Sequence, residues 1–247
     1  MASVDKGVLD VVVVGARGRM GSLVCQAVEA DPALALAGAY DADNAAELDE
    51  AAPAASVVVD FSAPAALPHV VAYVRRTGAA LVSGTTGLSD EDLAAIVALG
   101  QVAPVIHSGN YSLGVAVVRH LARLAAEELP GWDVEIVETH HNKKADAPSG
   151  TAKMLLAEVD PTGECPVAYG REGMVGARPA REVGMHSLRG GTVAGTHELH
   201  FFGTDEEVCV THRATSRQIF VQGALAAAKR LAGRPAGCYD FDGLMFG

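Results

Sequence analysis

Over the first hundred residues, short valine-rich runs alternate with helical stretches, and a glycine-rich turn joins the first run to the first helix. After residue 111 the pattern changes to period-two segments with little helix between them. These three observations predict an α/β fold: an N-terminal Rossmann-like, doubly wound parallel sheet, and a second α+β domain carrying a mixed, mostly antiparallel sheet. The first domain is expected over residues 1–110, with the second beginning at 111.

The elements follow in order. The run at 8–14 ends at Gly15 and reads as a strand buried on both faces, as parallel sheets require. Residues 19–30 read as a helix, with Leu23, Ala27 and Ala30 on one face and Asp31-Pro32 as its stop. Strands are predicted at 34–40, 57–60, 79–83 and 102–106, with helices at 64–77 and from about Ser89 onward. Strand–helix alternation implies right-handed crossovers. A long helix at about 112–129 is closed by Pro130-Gly131. Residues 134–139, 182–188, 192–202 and 206–214 read as strands, the last two joined by a Gly203-Thr204-Asp205 hairpin. Residues 161–181 hold several glycines and prolines without a clear period, which suits a functional loop or a subunit contact. A final helix is expected at 219–232.

The chain has 247 residues and a formal net charge of −11. Such a field repels phosphate, so neither nucleic acid nor an anionic membrane is an expected partner. No apolar run approaches the roughly 20 residues of a membrane-spanning helix. Cys25, Cys165, Cys209 and Cys238 are scattered and form no C-x-x-C pair, which speaks against a zinc ribbon or a dithiol centre. The first ten residues carry Asp5, Lys6 and Asp10 and no apolar leader core, so a cytoplasmic protein is expected.

Gly15, Ala16, Arg17, Gly18, Arg19, Met20 and Gly21 lie between the first strand and the first helix, spaced G-x-x-G-x-x-G. Glycines there let the backbone turn tightly and approach a pyrophosphate, which the helix N-terminus then stabilises. Asp41 follows the second strand, where an acid accepts hydrogen bonds from ribose hydroxyls. Its charge favours NADH, while Arg17 and Arg19 leave NADPH open. Gly84, Thr85 and Thr86 follow the fourth strand, and Ser108, Gly109, Asn110 and Tyr111 the fifth. Both loops are expected near the cofactor, since open α/β sheets bind ligands at the carboxyl ends of their strands. Ordinary tight turns are the plain alternative for each.

The run Glu138-Thr139-His140-His141-Asn142-Lys143-Lys144-Ala145-Asp146-Ala147-Pro148-Ser149-Gly150-Thr151 starts at a strand end and opens a helix. Two histidines and two lysines concentrate positive potential in an acidic chain, which suits an anionic substrate. Free N–H groups at the helix start can grip a carboxylate, and a lysine or histidine can supply a proton as hydride arrives. A solvated basic loop is the alternative. No metal site is expected: there is no H-E-x-x-H, and His197-Glu198-Leu199-His200 reads as strand alternation.

That run resembles the signature of the 4-hydroxy-tetrahydrodipicolinate reductase family, the dihydrodipicolinate reductases of lysine and diaminopimelate biosynthesis. G-A-R-G-R-M-G, V-D-F-S at 59–62, G-T-T-G, S-G-N-Y-S-L-G-V, L-R-G-G at 188–191 and T-H-R-A-T-S-R at 211–217 fall in the same order as in that family. The resemblance implies reduction of 4-hydroxy-tetrahydrodipicolinate, a small cyclic dicarboxylate, with NADH and/or NADPH. It implies His140 as the proton donor/acceptor and Lys144 as proton donor, with His141, Gly150 and Thr151 holding the substrate carboxylates. It implies Gly15, Ala16, Arg17, Gly18, Arg19, Met20, Asp41, Gly84, Thr85, Thr86, Ser108, Gly109, Asn110 and Tyr111 as cofactor contacts, and Arg217 as a residue near the active cleft. It also implies a homotetramer built through the sheet of the second domain, and a last helix that returns to the nucleotide domain, so that residues 1–110 and 218–247 form the first domain and 111–217 the second. Two departures stand out: many members have A-P-N-F where this chain has Ser108-Gly109-Asn110-Tyr111, and some carry Arg where this chain has Ala42. Hydride transfer needs a dry, aligned pair, so the two domains are expected to close on the substrate. Two other functions compete: a related reductase of another imine or keto acid, and a non-catalytic NAD(H)-binding regulator.

Overall fold

The computed structural model describes residues 7–247; the leaderless reading of the first ten residues lies, through residue 6, outside them. The chain divides into two compact units, one up to Ser112 with Gln218–Gly247, the other Leu113–Arg217.

The first unit runs β1 (Leu9–Val14), α1 (Gly21–Ala30), β2 (Leu34–Tyr40), α2 (Glu47–Glu50), β3 (Val57–Asp60), a 3-10 turn (Pro64–Ala66), α3 (Leu67–Thr77), β4 (Ala80–Ser83), α4 (Asp90–Leu99) and β5 (Pro104–His107). All pairings in its sheet are parallel, in the order β11-β5-β4-β3-β1-β2, where β11 is Gly237–Tyr239. Val11, Val12, Val13, Val14, Val57, Val58 and Val59 are fully buried, as strands covered on both faces must be. Each such side chain contributes about 1.5–3 kcal/mol relative to its exposed state. Ser89 caps α4 through a capping box with Asp92, and Gly78, at φ 69°, ends α3 in the left-handed conformation. The strand order reverses between β1 and β3, and the loops after these two strands flank the switch point where open sheets bind ligands.

The second unit runs α5 (Leu113–Glu128), β6 (Asp133–His140), α6 (Gly150–Val159), β7 (Val167–Ala168), β8 (Val183–Arg189), β9 (Gly195–Phe202) and β10 (Glu207–Ala214). Its sheet, ordered β10-β9-β6-β8-β7, is mixed. The two antiparallel ladders flanking β9 and the parallel β6–β8 ladder are all long, whereas the parallel β7–β8 pairing covers two residues, so by pairing the sheet is evenly mixed rather than mostly antiparallel. Ile136, Met185, Leu199 and Phe201 point to one face and pack against Val118 and Ala122 of α5 and Ala152 and Leu155 of α6. The opposite face carries Leu188 and Phe202, both about half exposed.

The chain ends with α7 (Gln218–Leu231), β11 and α8 (Phe241–Phe246), which return to the first unit. α7 lies against β3, β4 and α1. Three elements escape the periodicity. β11 is three residues long and becomes a strand only by pairing with β5. α2 is a four-residue turn inside the alanine-rich 42–55 stretch, and β7 is a two-residue strand inside 161–181. The first helix begins at Gly21 rather than at residue 19, because the glycine turn extends through Met20.

Candidate active site

In the first unit the loop after β1 is shaped by close approaches. Gly15 has φ 80°, and a Cβ on it would strike the backbone of Phe61 and Ser62. A Cβ on Gly21 would strike the Gly15 carbonyl. The N–H groups of Gly15 and Ala16 donate to the Tyr40 carbonyl at 2.8 and 3.0 Å, tying the turn to the end of β2. Asp41 follows that strand. Its carboxylate accepts the Arg17 N–H at 2.7 Å and the Ala42 N–H at 2.9 Å, with lone pairs left for a further donor. The Arg17 guanidinium is paired with Asp43 at the surface. Gly15, Gly18, Asp41, Ala42, Phe61 and Ser62 line an open cavity of about 320 Å³. Ligand sites are commonly of that size. The residues fit a dinucleotide: a glycine cradle that no Cβ could enter, a helix N-terminus beside it and a carboxylate at the ribose position.

Asp60 ends β3 and is 1% exposed. It accepts hydrogen bonds from the Ser62 N–H (3.1 Å), the Ser62 hydroxyl (2.5 Å) and the Thr85 hydroxyl (2.9 Å). Burial pushes its carboxyl upward against those bonds. Thr85 therefore spends its side chain inward, while Thr86 is exposed. Tyr111 is also internal: its hydroxyl donates to the Ser83 carbonyl at 2.8 Å, and its ring meets Phe61 and Phe241 edge-on. Ser108 and Asn110 brace their own loop, the Ser108 Oγ accepting the Asn110 N–H and the Asn110 Oδ1 accepting the Ser112 N–H. In Ser108-Gly109-Asn110-Tyr111 only Gly109 is exposed.

In the second unit, His140 ends β6 and is 9% exposed. Its Nδ1 lies 2.5 Å from Glu138 Oε2. Glu138 is fully buried, and it also accepts Arg189 Nη1 at 2.9 Å, Arg189 Nη2 at 2.7 Å and the Ser149 N–H at 3.2 Å. Burial opposes its charge, but the bonds from Arg189, Ser187 and His140 outweigh it and hold the carboxyl at about 2. An ionised Glu138 only accepts, so His140 presents its proton to it on Nδ1 and keeps Nε2 free. Burial lowers the His140 pKa, with Glu138 opposing and Lys144 and Arg189 assisting.

The loop after β6 carries His141, half-buried, and Lys144, whose Nζ donates to Asp146 at 2.8 Å. Gly190 and Gly191 clamp this loop: the Gly190 N–H donates to the His140 carbonyl and the Asn142 N–H to the Gly191 carbonyl. Arg189 also donates to the Asp146 carbonyl at 2.8 Å. Ser149 caps α6 by accepting the Ala152 N–H at 3.2 Å, and Gly150 and Thr151 stand in the first turn of that helix. His140, His141, Lys144, Gly150 and Thr151 thus share one end of one sheet. Arg217 is exposed just ahead of α7. Among the described residues, His200, Glu207 and Cys209 are one group of donors close enough together to hold an ion, on the exposed β9–β10 hairpin.

Sequence reasoning did not single out Glu138, Arg189, Ser149 or His197 as site residues. Glu138 and Ser149 lie within the 138–151 run itself, and L-R-G-G carries Arg189, which lies beyond the 161–181 loop from its partner.

Two family models match the chain: "Dihydrodipicolinate reductase, N-terminus" over residues 9–111 and "Dihydrodipicolinate reductase, C-terminus" over 114–245. A 4-hydroxy-tetrahydrodipicolinate reductase of Anaeromyxobacter dehalogenans is 42% identical over 257 aligned positions, covering 93% of this chain and 95% of the relative. One from Exiguobacterium is 39% identical over 230, covering 93% and 92%. Among solved structures, a dipicolinate-bound dihydrodipicolinate reductase from Paenisporosarcina shares the fold, with a TM-score of 0.76 at 23% identity over 94% of this chain and 97% of that one.

Proposed function

Because the chain belongs to the dihydrodipicolinate reductase family, whose members are NAD(P)H-dependent oxidoreductases, we propose that it reduces 4-hydroxy-tetrahydrodipicolinate to tetrahydrodipicolinate through His140 and Lys144. The observation that carries the residue assignment is the buried, ionised Glu138 that orients His140 beside Lys144 and a serine-capped helix start.

Gly15, Ala16, Arg17, Gly18, Arg19, Met20 and Asp41 hold the cofactor, with Gly84, Thr85, Thr86, Ser108, Gly109, Asn110 and Tyr111 shaping its far end. Tyr111 and Thr85 do so by bracing their loops from within. When bound, the nicotinamide supplies a hydride to C4 of the substrate once the 4-hydroxyl has left as water. One substrate carboxylate sits on the N–H groups of Gly150 and Thr151, the other on the cationic loop with His141. An incoming carboxylate competes with Asp146 for Lys144, whose ion pair is partly exposed and weak. Lys144 then stabilises and protonates the conjugated system as negative charge develops, and His140 serves as the nearby proton source.

We propose further that the chain forms a homotetramer through the second sheet, supported by the Leu188 and Phe202 side chains on its uncovered face. A cytoplasmic location is supported by four cysteines held as free thiols. No helix of the described residues is long and apolar enough to cross a membrane.

The test is to follow oxidation of NADH and NADPH in parallel, with substrate freshly made by the preceding synthase. Lys144→Ala is expected to lower kcat by about 10²–10⁴-fold with cofactor binding intact. Full turnover of that variant at saturating substrate would remove Lys144 from the mechanism.

A further inference from the structure

Three imidazoles cross the inner face of the second sheet: His140 at the end of β6, His197 in β9 and His212 in β10. His197 and His212 are direct partners in the β9–β10 ladder. The His140 and His197 rings meet edge-on at 5.2 Å, and the His197 and His212 rings lie 6.4 Å apart. His197 is 4% exposed. An unpaired buried polar group is costly, so such a ring is retained where a partner makes use of it. Its Nε2 is 3.1 Å from the Ser149 hydroxyl.

We propose that His197 is a positioning residue for the reduction: it ties the Ser149 cap, and with it the substrate-gripping start of α6, to the edge of the His140 ring. The inference rests on the reading above, in which His140 moves a proton and Gly150 and Thr151 hold a carboxylate. Ser149 is fixed from three sides. Its N–H donates to Glu138, its hydroxyl accepts the Ala152 N–H, and that hydroxyl pairs with His197. Glu138 in turn holds His140. The same buried residue therefore sets both the helix start and the proton donor, and His197 is the one strut reaching it from β9. The bond to Ser149 survives in either tautomer, because a hydroxyl both donates and accepts. Burial, followed by the charges of its neighbours, lowers the His197 pKa to about 4, so the ring stays neutral at neutral pH. A neutral strut adds no repulsion to a neighbour that must take up a proton. Besides His197, the charged groups acting on His140 are Glu138 on its own strand, Arg189 on β8 and Lys144 in the following loop.

Two variants of the full-length enzyme separate positioning from packing. His197→Phe keeps a ring against His140 and loses the nitrogen that meets Ser149. His197→Gln keeps a polar group for Ser149 and loses the ring. His197→Phe is expected to raise the substrate KM by about tenfold, the worth of one good hydrogen bond. The NADH KM should stay within about twofold, because the strut lies in the other unit from the nucleotide loop. His197→Gln is expected to recover most of the substrate KM. The Kd of pyridine-2,6-dicarboxylate, measured calorimetrically with NADH present, should follow the substrate KM. An unchanged substrate KM and dicarboxylate Kd in His197→Phe would overturn the inference, as would equal rises in the NADH and substrate KM values. Should His197→Phe fail to fold, Ser149→Ala removes the other half of the contact and must raise the substrate KM by a similar factor; no rise would also overturn it. If the wild-type enzyme neither turns over nor binds the dicarboxylate, the functional reading falls and takes the strut with it. If wild type is active and only the His197 variants behave like it, the strut alone falls.

Discussion

Arg189→Met tests the electrostatic centre of the second unit. Arg189 makes two hydrogen bonds, at 2.9 and 2.7 Å, to a Glu138 carboxylate with no exposed surface. The carboxyl is held from 4.5 down to about 2. At about 1.4 kcal/mol per unit, that depression stabilises the folded state by roughly 3 kcal/mol. Methionine fills similar volume but leaves the buried carboxylate to Ser187, His140 and the Ser149 N–H, without a permanent positive charge, so a loss of about 3–5 kcal/mol is expected near neutral pH. The sign with pH follows from the depressed value. Stabilisation of this kind is complete above the unfolded pKa and is lost as pH falls toward the folded one. The gap between wild type and variant should therefore be widest above pH 5 and narrow between about 4.5 and 2. Urea unfolding read by Trp132 suits the measurement, since it is the chain's single tryptophan and it packs against the core of this unit. A loss below about 1 kcal/mol, or a gap independent of pH, would show that Glu138 is not held ionised by Arg189. The double variant Glu138→Gln with Arg189→Met should recover part of the loss, because no unpaired charge then remains.

Gly21→Ala places a methyl against the Gly15 carbonyl, and is expected to raise the NADH Kd by about tenfold or more; nucleotide fluorescence titration checks it, and an unchanged Kd would refute the cradle. Asp43→Ala frees the Arg17 guanidinium from its surface partner, so the NADPH-to-NADH ratio of kcat/KM should rise by about 3–10-fold. Parallel assays with both cofactors decide it, and an unchanged or falling ratio would place Arg17 away from the ribose phosphate.

The strand–helix alternation of the first unit was legible because its signals are local. Valine-rich runs such as Val57–Asp60, the Ser89 cap and the glycine turn each express backbone preferences within a few residues. The segment from His140 to Thr151 was legible as a candidate site for the same reason: residues close in sequence at a strand end stay close in space. What the segment needs around it was not legible. Arg189 meets Glu138 across 51 residues, and His197 meets Ser149 across 48. Those meetings depend on β8 and β9 lying on either side of β6, an order that no periodicity encodes.

The same division applies to individual positions. Sequence alone determined that Ser108-Gly109-Asn110-Tyr111 and Gly84-Thr85-Thr86 follow strands, and that Asp41 ends another. Only the tertiary structure decided that Tyr111 and Thr85 turn inward, toward Ser83 and Asp60, and that Arg17 is engaged by Asp43. It also decided that β11 is a strand at all, since three residues acquire that conformation only from the ladder with β5. Local chemistry sets dihedral angles and which side of an element is apolar. Which buried charge finds which partner is set by strand order and register, and these are properties of the whole fold.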